Sequence, residues 1–219
     1  MPYAQSTEKT LQQAKACTPT NPFASKHIRP DANEYLFADG SSIDSTVARF
    51  NQLGHHAQII GPHGTGKSTL LYQLVEQFNA TGNVILAKLN SSKTRLPFSL
   101  PGLLRIPGKT LVVIDGFEQL PTWKRFTIKK IAHARKLGLL VTTHEDQKMA
   151  TLVRTASSPQ TLKAIIRRLD RDQRLGPTDR LTERELCQLL DICDGNVREV
   201  LFRLYDRVQA GNVTPLVAE

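Results

Sequence analysis

The sequence predicts an α/β fold: a parallel-sheet core with helices on both faces, followed by a small all-helical domain. Three observations carry this expectation. Short apolar runs alternate with helical stretches between residues 41 and 155, the pattern of a parallel sheet covered on both sides. One run, Leu111 to Ile114, is apolar without interruption, as expected of a strand buried on both faces. From Ser157 onward the chain turns to helical periodicity alone.

Residues 1–27 are polar and aperiodic and read as a mobile tail. The prolines and aromatics from Asn21 to Phe37 suggest an extended segment laid against the domain that follows. That domain is expected to span residues 28–156, and the helical one residues 157–219. Ser41 with Asp44 resembles a capping box opening a helix to about Leu53. Ala57 to Ile60 is a short strand running into a glycine loop, and Ser68 to Phe78 is helical. Val84 to Ala87 is a second strand. Residues 91–109 hold Pro97, Pro101 and Pro107 and read as mostly loop. After the Leu111 strand, a helix runs from Pro121 to Leu137, stopped by Gly138. Leu139 to Thr143 and Thr151 to Thr155 are the last strands.

In the helical part, Ser158 caps a helix with Pro159 at its first position. Leu162, Ile165, Ile166 and Leu169 form its apolar stripe. Gly176-Pro177 breaks the chain. Thr182 and Glu185 form a capping box, with Leu181 and Leu186 as its hydrophobic staple. Gly195 ends that helix and Asn196 caps the next, whose stripe is Val197, Val200, Leu201 and Leu204.

The chain has 219 residues, 40% hydrophobic, with net charge +9. That suits a globular core and not a disordered chain. No run of about 18 apolar residues occurs, which argues against a helical membrane span. The N-terminus lacks the pattern of a secretory signal. Cys17, Cys187 and Cys193 have no metal-ligand spacing and read as reduced thiols of a cytoplasmic protein. The excess charge is local. Between Pro121 and Leu175 there are about thirteen Lys/Arg against about four Asp/Glu, and the rest nearly balances.

The strongest motif is Gly61-Pro62-His63-Gly64-Thr65-Gly66-Lys67-Ser68, followed by Thr69. It sits between a strand and a helix. Glycines let backbone N–H groups turn inward and line an anion nest, and the helix N-terminus adds its dipole. Lys67 brings a point charge to the β- and γ-phosphates of a nucleotide, and the Ser68 hydroxyl is a ligand for Mg²⁺. Leu111-Val-Val-Ile114-Asp115 puts a carboxylate at the C-terminal edge of the sheet, where open α/β folds bind ligands. Asp115 would there hold Mg²⁺ through water.

These residues resemble the P-loop ATPases. Lys67, Ser68 and Asp115 match the Walker A and Walker B positions. Thr142-Thr143 closes a strand where the AAA+ division places its polar sensor, a role assigned to Thr143. The helical domain sits where that division carries its lid. Gly195-Asn-Val-Arg198-Glu-Val-Leu is similar to the lid helix of origin-recognition and related initiator ATPases, whose arginine is the second sensor. The resemblance covers about residues 28 to 210. It implies ATP and Mg²⁺ as ligands, with residues Ile28 to Phe37 bordering adenine.

Arg198 also has its own argument. It stands in the first turn of its helix, where the dipole disfavours a cation unless an anion lies opposite. The family pattern departs at Gly116, where AAA+ proteins carry a glutamate that polarises the attacking water. Glu118 is the nearest carboxylate and is the expected substitute. No arginine finger stands out, and Arg154 is the one candidate. His144 resembles the switch histidine of ABC ATPases. However, the roughly 48 residues between Lys67 and Asp115 leave no room for their helical subdomain.

The helix 122–136 carries Lys124, Arg125, Lys129, Lys130, Arg135 and Lys136. With Trp123, Phe126 and Ile131 packed inward, its outer face would contact the phosphate backbone of DNA or RNA. No base-reading module is visible. The resulting expectation is an ATP-binding AAA+-like ATPase whose lid moves with nucleotide. Its partner is nucleic acid, a nucleotide-dependent second copy or another protein. Two rivals are a small-molecule kinase with a lid built on Arg154, Arg167, Arg168, Arg171 and Arg174, and a nucleotide-dependent binding module that does not hydrolyse.

Overall fold

The computed structural model describes residues 21–30, 33–90, 96–170 and 181–210. Most of the expected tail, Gly176-Pro177, and Cys17, Arg171 and Arg174 lie outside the described residues.

Five strands form one all-parallel sheet: β1 (His56–Ile60), β2 (Val84–Lys88), β3 (Leu111–Asp115), β4 (Gly138–Thr143) and β5 (Thr151–Arg154). Their order across the sheet is β2-β3-β4-β1-β5. All five residues of β3 are buried, because both faces of this inner strand are covered. Val112 and Ile114 face a cluster closed by Ile128, Ala132 and Phe117. Leu111 and Val113 face the opposite cluster with Leu70, Leu71, Leu74 and Phe50.

The helices are α1 (Ile43–Gln52), α2 (Lys67–Asn79), the short α3 (Leu100–Leu103), α4 (Thr122–Ala134), α5 (Pro159–Leu169), α6 (Glu183–Ile192) and α7 (Val197–Gln209). The expected caps at Ser158, Thr182 and Asn196 form. Two local expectations, at the starts or ends of α1 and α4, are corrected, and a third is refined. Helix α1 is capped by Ser42, with Ser45 completing the box, so its start is one residue later than the Ser41–Asp44 reading. The proline-rich connection contains α3, because Ser99 caps it and Pro101 fits a first turn. Helix α4 ends at Ala134, and Lys136 takes the left-handed turn (φ 54°), while Gly138 already belongs to β4.

A third cluster lies outside the sheet, formed by Leu162, Leu186, Leu189, Val200, Leu201 and Leu204 from α5, α6 and α7. Phe23, expected in the tail, is 1% exposed within this cluster. Asn21 fixes it there by donating from Nδ2 to the Tyr205 carbonyl and accepting from the Phe23 N–H. The segment from Asn21 onward is therefore part of the packed structure. No helix among the described residues is long and apolar enough to cross a membrane.

Candidate functional site

The carboxyl ends of β1, β3 and β4 meet beside one cavity of about 530 Å³. Its floor is the loop 63–66 with the first turn of α2, and its wall includes Asp115, Glu118, Thr142 and His144. Ile28 to Pro30 and Asn33 to Leu36 border one side, and Ile165, Val197, Arg198 and Leu201 of the C-terminal helices border another. His63, Gly64, Thr65, Gly66, Lys67, Ser68 and Thr69 all line it, and Gly61 and Pro62 do not.

The loop is held by its own side chains. Thr65 Oγ1 bonds the Pro62 carbonyl at 2.9 Å and the Thr155 hydroxyl at 2.7 Å. Lys67 is 8% exposed. Its ammonium donates to the Gly61 carbonyl at 2.7 Å and the Pro62 carbonyl at 2.5 Å, and lies 3.1 Å from His144 Nδ1. Burial pushes its pKa down to about 8, against the pull of Glu118 and Asp115. Burial, then the Lys67 charge, also lower His144. His144 Nδ1 lies 3.1 Å from the Lys67 ammonium and 3.0 Å from the Gly61 carbonyl oxygen, and its Nε2 lies 3.3 Å from Glu118 Oε1. The chain Lys67–His144–Glu118 thus connects the loop to the far wall, and His63 stacks on His144 with centroids 3.5 Å apart.

Asp115 is 6% exposed, and its Oδ1 accepts from Ser68 Oγ at 3.1 Å and from Thr142 Oγ1 at 2.6 Å. Asp115 and Ser68 are hard oxygen donors in mutual contact at a pocket that would supply phosphate and water. That donor set fits Mg²⁺, which takes few protein ligands and keeps several waters.

Thr143 does not reach the cavity. Strand alternation turns it to the other face, where its hydroxyl donates to the Glu145 carbonyl and accepts from the Glu145 N–H and from Gln147. Thr142 is the residue beside Asp115, and its hydroxyl also accepts from the Gly116 N–H at 2.8 Å. The expectation for Thr143 is corrected to Thr142.

Gly116 has a structural cause. Its φ is +81°, and a Cβ there would sit 2.7 Å from the Leu89 carbonyl oxygen. Glutamate at this position would be strained and would clash with backbone. The left-handed turn leads into a 3₁₀ turn, Phe117–Gln119, which buries Phe117 and leaves Glu118 lining the cavity. Glu118 Oε2 is buried with no hydrogen-bond partner.

Arg198 lines the cavity from the first turn of α7 and makes no hydrogen bond or ion pair with a described residue. The N-cap of the same helix touches the loop: a Cβ on Gly64 would lie 1.8 Å from Asn196 Oδ1. Glycine at 64 is what lets α7 come this close. Arg154, at the end of edge strand β5, and Arg167 and Arg168 of α5 do not line the cavity, and Arg168 pairs with Glu34 at 2.5 Å.

The basic helix faces differently from expectation. Ile128 and Ala132 are the buried stripe of α4, while Trp123 and Phe126 are each 59% exposed. Ile131 does pack against the core. Arg125 donates to Gln147 Oε1 at 2.7 Å and Lys129 to the Gln147 carbonyl at 2.9 Å.

Sequence reasoning placed Tyr35 within the segment bordering the site but missed the contact of its ring with Gly66, and it missed the Asn196 contact with the loop. Each crosses between distant segments and leaves no local pattern. The threonine pair was visible, and only strand parity separates Thr142 from Thr143.

A family model described as an AAA domain matches residues 55–167. Comparison with curated protein sequences gives no match. Among solved structures, Cdc6p from Pyrobaculum aerophilum is similar over 83% of this chain and 66% of its own, with 18% identity and TM-score 0.51. The Walker-type ATPase PABY2304 of Pyrococcus abyssi matches over 83% of this chain and 72% of its own, at 13% identity and TM-score 0.50. A RuvB mutant of Thermotoga maritima matches over 77% of this chain at 11% identity and TM-score 0.47, and this chain spans 61% of its length. At these identities the likeness is one of fold.

Proposed function

The chain belongs to the AAA domain family, and from that premise we propose that it binds Mg-ATP in the cavity beneath α7 and hydrolyses it with Glu118 as the water-polarising carboxylate. The observation that carries this reading is the convergence of Lys67, the Ser68–Asp115 pair and Glu118 on one cavity that Arg198 also borders. In the reading, backbone N–H groups of residues 64–67 cradle the β-phosphate. Lys67 exchanges its carbonyl partners for β- and γ-phosphate oxygens, and Arg198 meets the γ-phosphate. Ser68 and Asp115 hold Mg²⁺, which supplies charge neutralisation at the phosphates when bound. Tyr35 and the segment from Ile28 border the adenine. Thr142 keeps Asp115 oriented.

Hydrolysis removes the anion opposite Arg198, so α7 and its neighbours respond to nucleotide state as a lid. The acid-free helix α4 provides a nucleic-acid contact, and ATP-dependent association with a second copy or another protein is the other output. The protein acts in the cytoplasm with its thiols reduced. The kinase reading gains no support from the described arginines of its lid, because Arg154, Arg167 and Arg168 do not line the cavity.

Calorimetry with ATP and a slowly hydrolysed analogue, together with phosphate release from ATP alone, tests the proposal. Binding of both with Mg²⁺-dependent turnover in the absence of any acceptor is expected. Binding without turnover would leave the non-hydrolysing module, and turnover only with an added acceptor would leave a kinase.

A further inference from the structure

The outer face of α4 has a composition that phosphate contact alone does not explain. Trp123 and Phe126 stand one turn apart and are each 59% exposed. Large rings placed together in solvent mark an interaction surface. Each has a cation at its face: Lys124 Nζ lies 5.4 Å from the Trp123 centroid and Lys130 Nζ 5.4 Å from that of Phe126. No Asp or Glu occurs between Pro121 and Leu137. Arg125 and Lys129 are engaged by Gln147, which leaves Lys124, Lys130, Arg135 and Lys136 for a ligand.

Lysines alone would serve a duplex, whose bases are stacked away from the protein. An apolar protein partner would use the rings but gain nothing from an acid-free array of cations. Unpaired bases joined by phosphates need both at once, because every base has a π-face and every linkage a charge. We propose that this face binds single-stranded nucleic acid, with bases stacked on Trp123 and Phe126 and phosphates held by Lys124 and Lys130. The proposal rests on the nucleic-acid reading of α4 and narrows it to unpaired strands.

Trp123 is the chain's sole tryptophan, so its emission reports the site directly. The full chain is titrated at low salt with an oligo(dT) strand of about twenty nucleotides, a duplex of equal length and a polyglutamate peptide. The single strand should quench Trp123 and bind at least about tenfold more tightly than the duplex. Trp123→Leu with Phe126→Leu should weaken binding of labelled oligo(dT) by about tenfold per ring. The same variant should keep duplex affinity, and unchanged ATP affinity shows that it is folded. Equal binding of strand and duplex without quenching, or strand binding that survives the double substitution, overturns the stacking proposal while leaving the basic-helix reading in place. Quenching by polyglutamate but not by oligo(dT) overturns it in favour of an acidic protein partner. If neither nucleic-acid probe binds, both readings fall.

Discussion

The carboxyl edge of the sheet and the outer face of α4 both present cations, and they present them oppositely. At the sheet edge Lys67 is buried, fixed by three neighbours and shifted in pKa. On α4, Lys130 is exposed and its ammonium lies 5.4 Å from the centroid of the exposed Phe126 ring. A desolvated charge acts strongly over one defined geometry, whereas a solvated one is weakened by salt and tolerates many geometries. The first suits one ligand in one pose, and the second suits a polymer without sequence preference. Substitutions should therefore separate cleanly: those at the edge change nucleotide chemistry alone, and those on the helix change salt-dependent association alone.

The largest separation is expected from Glu118→Gln. ATP turnover should fall by about 10²-fold or more, the scale of losing a general base, with ATP affinity nearly intact. Unaltered phosphate release would assign water polarisation to another group. Lys67→Ala should weaken ATP by about 100-fold, the loss of charge-assisted bonds to phosphate, without lowering the melting temperature. Calorimetry showing unchanged affinity would remove this lysine from the phosphate site. In Arg198→Ala the ratio of ATP to ADP affinity should drop by about tenfold, since its expected partner is the γ-phosphate. Equal losses for both nucleotides would make it a packing residue of α7.

On the helix, Lys124→Glu with Lys130→Glu should flatten the slope of log affinity against log salt by about 2 and leave ATP binding alone. This pair is the informative one because Lys129 is already bonded to Gln147. The smallest effect concerns pH. The Lys67 pKa is lowered to about 8 in the nucleotide-free fold, and phosphate favours the charged form, so ATP binding takes up a proton above that pH. Affinity should be flat below about pH 7 and fall by about fourfold by pH 8.5. Buffer-dependent calorimetric heats at pH 8.5 measure the uptake directly, and their absence would mean Lys67 is not the phosphate ligand.

Local chemistry was legible in the sequence wherever the determinant was local. The glycine loop, the caps at Ser158, Thr182 and Asn196, and the unbroken apolar run at β3 all fold as read. The errors share one cause, a choice that only the tertiary partner makes. Strand parity decided between Thr142 and Thr143. Trp123 and Phe126 look like core residues, yet the sheet takes Ile128 and Ala132, and the stems of Arg125 and Lys129 flank that stripe with their heads bonded to Gln147. Gly116 was read as a missing catalytic acid. It is instead a steric requirement set by Leu89 from the neighbouring connection. A glutamate at this position therefore does not suit this chain, whose nearest carboxylate after Asp115, Glu118, stands on the 3₁₀ turn and lines the cavity.

The lysine of the loop has one further consequence. An ammonium carries three hydrogens, and in this conformation it donates to the Gly61 and Pro62 carbonyls, with His144 Nδ1 3.1 Å away on a third side. An arriving anion therefore finds the ammonium already surrounded. Any bond Lys67 forms to phosphate is a substitution, in which loop carbonyls must find water and the imidazole loses a neighbour. The loop is thus its own competitive ligand. In the proposed complex the nucleotide's grip on Lys67 would be set by a difference between two similar bonds, and the same exchange would free the ring beside Glu118.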